Sequence, residues 1–194
     1  FSIVVHEVSH GYMAYRFGDL TAKYQGRLTF NPIKHIDPFG SIILPFIMSL
    51  LPGGLILGWA KPVPINPYNF TRRKLGEFAT AFAGPLSNIC IATIFILLIR
   101  FSATVGMGPV FVQLCLVIVM INAVLAFFNL IPIPPLDGYR IVALLLPVKT
   151  AEKFEYFSQR FGIFLVLFFV LFLWNPIFLS LVSFIEFLTG LHVF

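Results

Sequence analysis

Charge is scarce in this chain: Asp, Glu, Lys and Arg together make up 11% of 194 residues, against 59% hydrophobic residues. That shortage excludes an ordinary soluble domain, in which about a quarter of the residues are charged. Mean hydropathy is +0.95, so the chain is expected to sit in a bilayer. Cysteine is almost missing. Cys90 and Cys115 each fall in an apolar run, where a small buried hydrophobe is the reading and a disulfide has no support, so redox compartment is not encoded. No internal repeat or low-complexity tract is found, and no cleavable signal peptide is recognisable in these residues. The net charge of +5 does not point to nucleic acid, because the basic residues lie in loops beside apolar segments, where the orientation rule for membrane proteins accounts for them.

Length sets the next bound. At about 20 residues per span, there is room for a handful of crossings and their loops, so one integral membrane domain over residues 1–194 is expected. The chain opens on Phe1 rather than Met, and the expectation is that it enters a helix part-way, with upstream spanning sequence missing. Phe1 to Phe17 reads as the end of a helix closed by Gly18 and Asp19, followed by loop chemistry to Pro38. From Phe39 to Trp59 the chain is apolar but interrupted by Pro45, Pro52, Gly53, Gly54 and Gly58, which argues for a re-entrant or broken segment. KPVPINPYNF follows, and its spaced prolines favour extended backbone with unpaired main-chain groups. Gly76 to Ile99 and Pro109 to Leu130 form a spanning hairpin, Asp137 to Leu146 a short apolar helix, and Phe161 to Leu188 a final Phe-rich span.

Basic residues test this layout, since Lys and Arg of short loops gather on the cytoplasmic side. Residues 16–37 hold Arg16, Lys23, Arg27 and Lys34; residues 60–75 hold Lys61, Arg72, Arg73 and Lys74; residues 139–160 hold Arg140, Lys149, Lys153 and Arg160, leaving only Arg100 of the 13. The last two loops share a side if the hairpin between them crosses twice. The first joins them only if residues 39–59 do not cross completely, which favours re-entrance.

His6, Glu7 and His10 form HEVSH. On a helix the two histidines lie one turn apart on one face and can grip one metal ion, with Glu7 beside them. Neutral imidazoles suit Zn²⁺, and a catalytic zinc keeps a position for water whose pKa falls towards about 7. Chance alone produces HExxH at times, but two histidines and a glutamate in an apolar helix are costly in lipid unless they pair or bind an ion. A catalytic zinc usually takes three protein ligands. Asp137, in NLIPIPPLDG, is the preferred third, although a helix N-cap role for it is hard to separate by sequence. His35 and Asp37 lie in a loop, His192 near the end, and Glu77 and Glu186 at span ends. Asn88 and Asn129 lie in apolar helices, where they either donate to a developing oxyanion or tie helices together.

The motifs HEVSH, NPIKHIDPFG, GWAKPVPINPYNF, AGPLSN and NLIPIPPLDG resemble, in order and spacing, those of the site-2 protease family of intramembrane zinc metalloproteases. The resemblance covers nearly the whole chain and is closest to the compact prokaryotic members without PDZ or nucleotide-binding regulatory domains. It implies one zinc per chain on His6, His10 and Asp137, Glu7 as general base, and Asn129 holding substrate or the tetrahedral intermediate. It also implies that Pro62, Pro64 and Asn66 lie near the membrane surface and offer backbone to an extended substrate strand. The expected fold is therefore an all-α polytopic membrane protein with a re-entrant segment and a short extended stretch. The expected partners are a transmembrane protein or peptide substrate and membrane lipid. The expected location is the prokaryotic cell membrane, with the active site opening to the cytoplasm. Two rivals keep the same residues: a proton-coupled carrier, in which His6, Glu7 and His10 relay protons, and a silent relative that binds membrane segments as an adaptor. Substrate identity and oligomeric state are not encoded.

Overall fold

Three helices among the described residues are long and apolar enough to cross a membrane: Arg73–Ser102, Pro109–Asn129 and Phe164–Thr189. They belong to a computed structural model that describes residues 1–50 and 58–191. His192 and the middle of the apolar segment 39–59 lie outside the described residues. Helix dominates and no strand occurs among the described residues, as an all-α membrane protein requires when backbone groups must be satisfied within each segment. The chain divides into two units, Phe1–Thr80 and Ala81–Phe194.

In the first unit, α1 (Ser2–Arg16) ends at Phe17, and the short α2 (Thr21–Tyr24) follows. Gly18 makes the turn between them at φ 103°, a left-handed conformation that only glycine adopts freely. A single 3₁₀ turn, Pro32–His35, precedes a π turn, Pro38–Ile43, which runs into α3 (Leu44–Ser49). The last two pieces hold six residues each, together about 18 Å of helix, well short of the roughly 30 Å hydrocarbon core. The start of this segment is bonded to residues beyond it. The Trp59 amide donates to the Gly40 carbonyl at 3.1 Å and the Ser41 hydroxyl to the Trp59 carbonyl at 2.8 Å. A side chain at Gly40 would lie 2.3 Å from the Trp59 indole, so glycine is needed for this closure. Residues 58–66 hold neither helix nor strand, and a 3₁₀ turn at Pro67–Asn69 leads on to α4 (Arg73–Val105), within which the boundary between the units falls.

In the second unit, α4 continues to Val105 and is followed by α5 (Pro109–Asn129), α6 (Asp137–Leu145), α7 (Val148–Phe168), a π turn at Phe169–Leu173 and α8 (Trp174–Thr189). Ile99, Cys115, Val119 and Ile185 form its buried core, so the Cys115 thiol packs as an apolar group and no disulfide forms. Residues 148–160, assigned above to a loop on the strength of their charges, are instead the first part of α7. Ala, Lys, Glu, Gln and Arg are strong helix formers, and no Gly or Pro interrupts Val148 to Phe161. The final span is likewise not one regular helix. Pro176 has no amide for the residue-172 carbonyl, and the π turn just before it relaxes the clash. The π turn ahead of Pro45 has the same cause.

Candidate metal centre

HEVSH lies in the middle of α1, where helical spacing puts residues four apart on one face. His6 and His10 are both buried, and their Nε2 atoms are 3.0 Å apart with the rings nearly perpendicular at 85° and 4.6 Å between centroids. Two nitrogens bound tetrahedrally at about 2.0–2.1 Å from one zinc would stand roughly 3.3 Å apart, so this pair is already near ligand spacing. The His10 Nδ1 donates to the Thr80 carbonyl at 2.6 Å. A carbonyl only accepts, so that bond fixes the proton on Nδ1 and leaves the Nε2 lone pair pointing at His6. An outer hydrogen bond of this kind is how proteins orient a metal-binding imidazole. The donor chemistry therefore fits Zn²⁺.

Glu7 is half-buried, and its Oε2 accepts the Val63 amide at 2.9 Å. Val63 lies between Pro62 and Pro64, neither of which has an amide hydrogen. The stretch around it is tied at both ends. Arg27 Nη2 donates to the Lys61 carbonyl at 2.8 Å, and the Lys61 amide donates to the His35 carbonyl at 2.8 Å. At the far end Asp19, fully buried, accepts the Asn66 amide at 2.7 Å, the Asn69 Nδ2 at 2.9 Å, and the amide and hydroxyl of Thr21.

Burial alone would raise the Asp19 pKa, but the hydrogen bonds from Thr21, Asn66 and Asn69 outweigh it and hold the carboxyl below its ordinary range. A depressed folded-state pKa contributes stability that is complete above the unfolded value and disappears as pH falls through the folded one. Asp19→Asn should therefore lower stability by about 1–3 kcal/mol at pH 7. The gap between variant and wild type should close as pH drops below about 4. Thermal unfolding of detergent-solubilised protein across that range checks both the size and the sign.

The other sequence candidates separate by position. Among potential ligands in the first unit, His35 is buried with its Nε2 at 2.9 Å from the Thr29 carbonyl, Asp37 accepts the Gly40 amide at 2.7 Å as the cap of the π turn, and Glu77 pairs with Arg73 at 2.9 Å. Pro62 is exposed, Pro64 and Asn66 are half-buried, and the Asn66 backbone is extended at φ −114°, ψ 101°. In the second unit Asp137 is the first residue of α6 and is half-buried, while Leu136 holds the capping position. Asp137 therefore does not stand at the N-cap position, and no side chain at that position bonds the start of α6. Gly138 lets α6 start hard against the end of α5, since a Cβ there would lie 2.1 Å from the Leu130 carbonyl oxygen. Asn129, at the end of α5, donates to the Leu125 carbonyl at 3.0 Å. Asn88 is buried and donates to Asn122 Oδ1 at 2.8 Å, joining α4 to α5.

Sequence reasoning missed Thr80, Val63 and the buried role of Asp19. Thr80 and Val63 act through main-chain atoms, for which side-chain identity carries no signal. A carboxylate directly after a helix-ending glycine in so apolar a chain was the one readable hint for Asp19.

The profile of peptidase family M50 matches residues 103–169. The chain is 43% identical over 174 residues to "Putative zinc metalloprotease YwhC" of Bacillus subtilis, covering 86% of this chain and 76% of YwhC. It is 32% identical over 143 residues to "Putative zinc metalloprotease Rip2" of Mycolicibacterium smegmatis, covering 71% of this chain and 51% of Rip2. A methanogen relative, "Putative zinc metalloprotease MJ0611" of Methanocaldococcus jannaschii, is 28% identical over 142 residues, 72% of this chain and 63% of the relative. No solved structure matches.

Proposed function

The chain belongs to peptidase family M50, which makes it a zinc metalloprotease, and we propose that it hydrolyses peptide bonds of membrane-spanning or membrane-associated segments with Glu7 as general base. The observation that carries this reading is the pair of buried Nε2 atoms of His6 and His10, facing each other 3.0 Å apart on one face of α1 in an apolar chain. In this reading Asp137 is the third ligand to one Zn²⁺, as a catalytic site with three protein ligands requires. When bound, zinc supplies a Lewis acid that polarises a peptide carbonyl and lowers the pKa of water towards about 7.

The chain's own residues do the rest. Thr80 holds the His10 tautomer through its carbonyl. Glu7, with Oε2 on the Val63 amide, keeps Oε1 to take a proton from the attacking water and return it to the leaving amine. A helical substrate hides its carbonyls in hydrogen bonds and must unwind before attack. The residues from Pro62 to Asn66 offer carbonyls in a non-helical stretch on which an unwound strand can pair. Asn129 holds the substrate carbonyl as charge develops on it.

The bonds between Trp59 and Gly40–Ser41 support a re-entrant path for residues 39–59, because they bring the two ends of the segment to one level. That path, with the basic loops, favours a site opening to the cytoplasmic face of a prokaryotic membrane.

Metal removal tests the proposal. Chelation should slow cleavage of a bilayer-spanning peptide reporter in liposomes by at least about 100-fold, and added zinc should restore it. Undiminished cleavage by metal-free protein, or none by zinc-loaded protein, would sink it.

A further inference from the structure

General-base work needs a carboxylate whose second oxygen is held still at a defined place, and the first unit contains such a holder. Glu7 Oε2 has the Val63 amide at 2.9 Å. That amide is the sole donor in the run Pro62–Val63–Pro64. Its position is set on three sides. Arg27 and the His35 carbonyl fix Lys61, and Asp19 fixes Asn66 and Asn69. The third side is α1 itself. Val63 is buried, and at Gly11, one turn beyond Glu7, a Cβ would stand 2.7 Å from Val63 Cγ1 and 2.7 Å from Leu28 Cδ2. Real Cβ contacts are not that short, so the Val63 side chain packs on α1 beside Glu7 only because residue 11 has no side chain. Leucine tips swing away readily, whereas a β-branched valine has few alternatives at χ1, so the strain of an added methyl falls on the position of Val63.

We infer that Gly11 and Val63 are positioning residues: the absent side chain at 11 lets the Val63 amide seat the Glu7 carboxylate, with Asp19 and Arg27 anchoring the stretch that carries that amide. This rests on the reading of Glu7 as general base. Displacement of a catalytic group by about 1 Å can cost about 100-fold in rate, which sets the expected scale.

The test uses the intact chain in detergent micelles, with fluorescein-labelled casein as an unfolded probe that needs no unwinding. Gly11→Ala should lower kcat by about 10- to 100-fold, with KM changed less than about threefold, zinc content kept and the thermal midpoint lowered by only the few degrees that local overpacking brings. Alanine also favours helix, so loss of α1 is not the expected route. Trimming Val63 to alanine in the Gly11→Ala background reopens the space while keeping the amide, and kcat should recover most of the loss. A structural role alone would move zinc content, stability and KM together. Gly11→Ala with wild-type kcat, or a fall that the second change does not recover, would overturn the inference. Failure of the underlying reading is distinct, because then the wild type itself would show no zinc-dependent cleavage, or Glu7→Gln would cleave normally.

Discussion

Glu7→Gln should lose about 10²- to 10⁴-fold in kcat, the range that a positioned acid–base group contributes, while keeping its zinc and its fold. The change is nearly isosteric. The glutamine Oε1 can take over the Val63 amide bond that Glu7 Oε2 makes now, so the stretch from Lys61 to Asn69 should stay seated on α1. What disappears is the ability to accept a proton from water and hand it to the leaving amine. His10 does not depend on Glu7 for its orientation, since its tautomer is set by the Thr80 carbonyl. The measurement is kcat on a membrane-span reporter alongside zinc per chain for the same preparation. Full activity in Glu7→Gln would remove the general-base assignment, and loss of zinc together with activity would make Glu7 part of the metal site instead. A silent adaptor predicts no cleavage in either protein, so the wild type discriminates that rival.

The parts of this molecule that were legible in its sequence are those set by local pattern. HEVSH reads as one face of a helix because period 3.6 puts His6 and His10 together, and α1 holds them so. The spans ending at Leu130 and beginning near Phe161 follow from apolar length, and helices Pro109–Asn129 and Phe164–Thr189 agree within a few residues. What local pattern could not show was the helix through Lys149, Glu152, Lys153 and Glu155. Charge there reads as a loop, although these same residues are good helix formers. Long-range main-chain contacts were also invisible. The bond between His10 and Thr80 joins residues 70 apart, and that between Glu7 and Val63 residues 56 apart. Each ends on a backbone atom, a carbonyl that every residue supplies or an amide hydrogen that every residue but proline supplies. The prolines at 62 and 64 signalled non-helical backbone, but nothing in their spacing says that the single amide between them faces a glutamate.

Asp137→Ala should strip the protein of most of its metal, from about one zinc per chain to a small fraction, and with it cleavage. Three protein ligands are the rule for catalytic zinc, and two imidazoles without a carboxylate hold the ion far more weakly. A loss of even 4 kcal/mol of binding would raise Kd by roughly a thousandfold. The local structure makes this a clean experiment. Leu136, not Asp137, holds the capping position of α6, and the close approach of that helix to the end of α5 depends on Gly138, so alanine at 137 leaves the packing of the helix start in place. Elemental analysis of dialysed, detergent-purified wild type and variant is the measurement, with thermal unfolding to show that both are folded. His10→Ala serves as the reference for a lost ligand. If Asp137→Ala keeps its zinc while His10→Ala loses it, the third ligand is elsewhere, and single replacements of His35, Asp37, Glu77 and Glu186 with the same zinc readout would find it. If folded wild type takes up no zinc at all, the two buried histidines and Glu7 are better explained as a proton relay, and transport against a pH gradient becomes the assay to run.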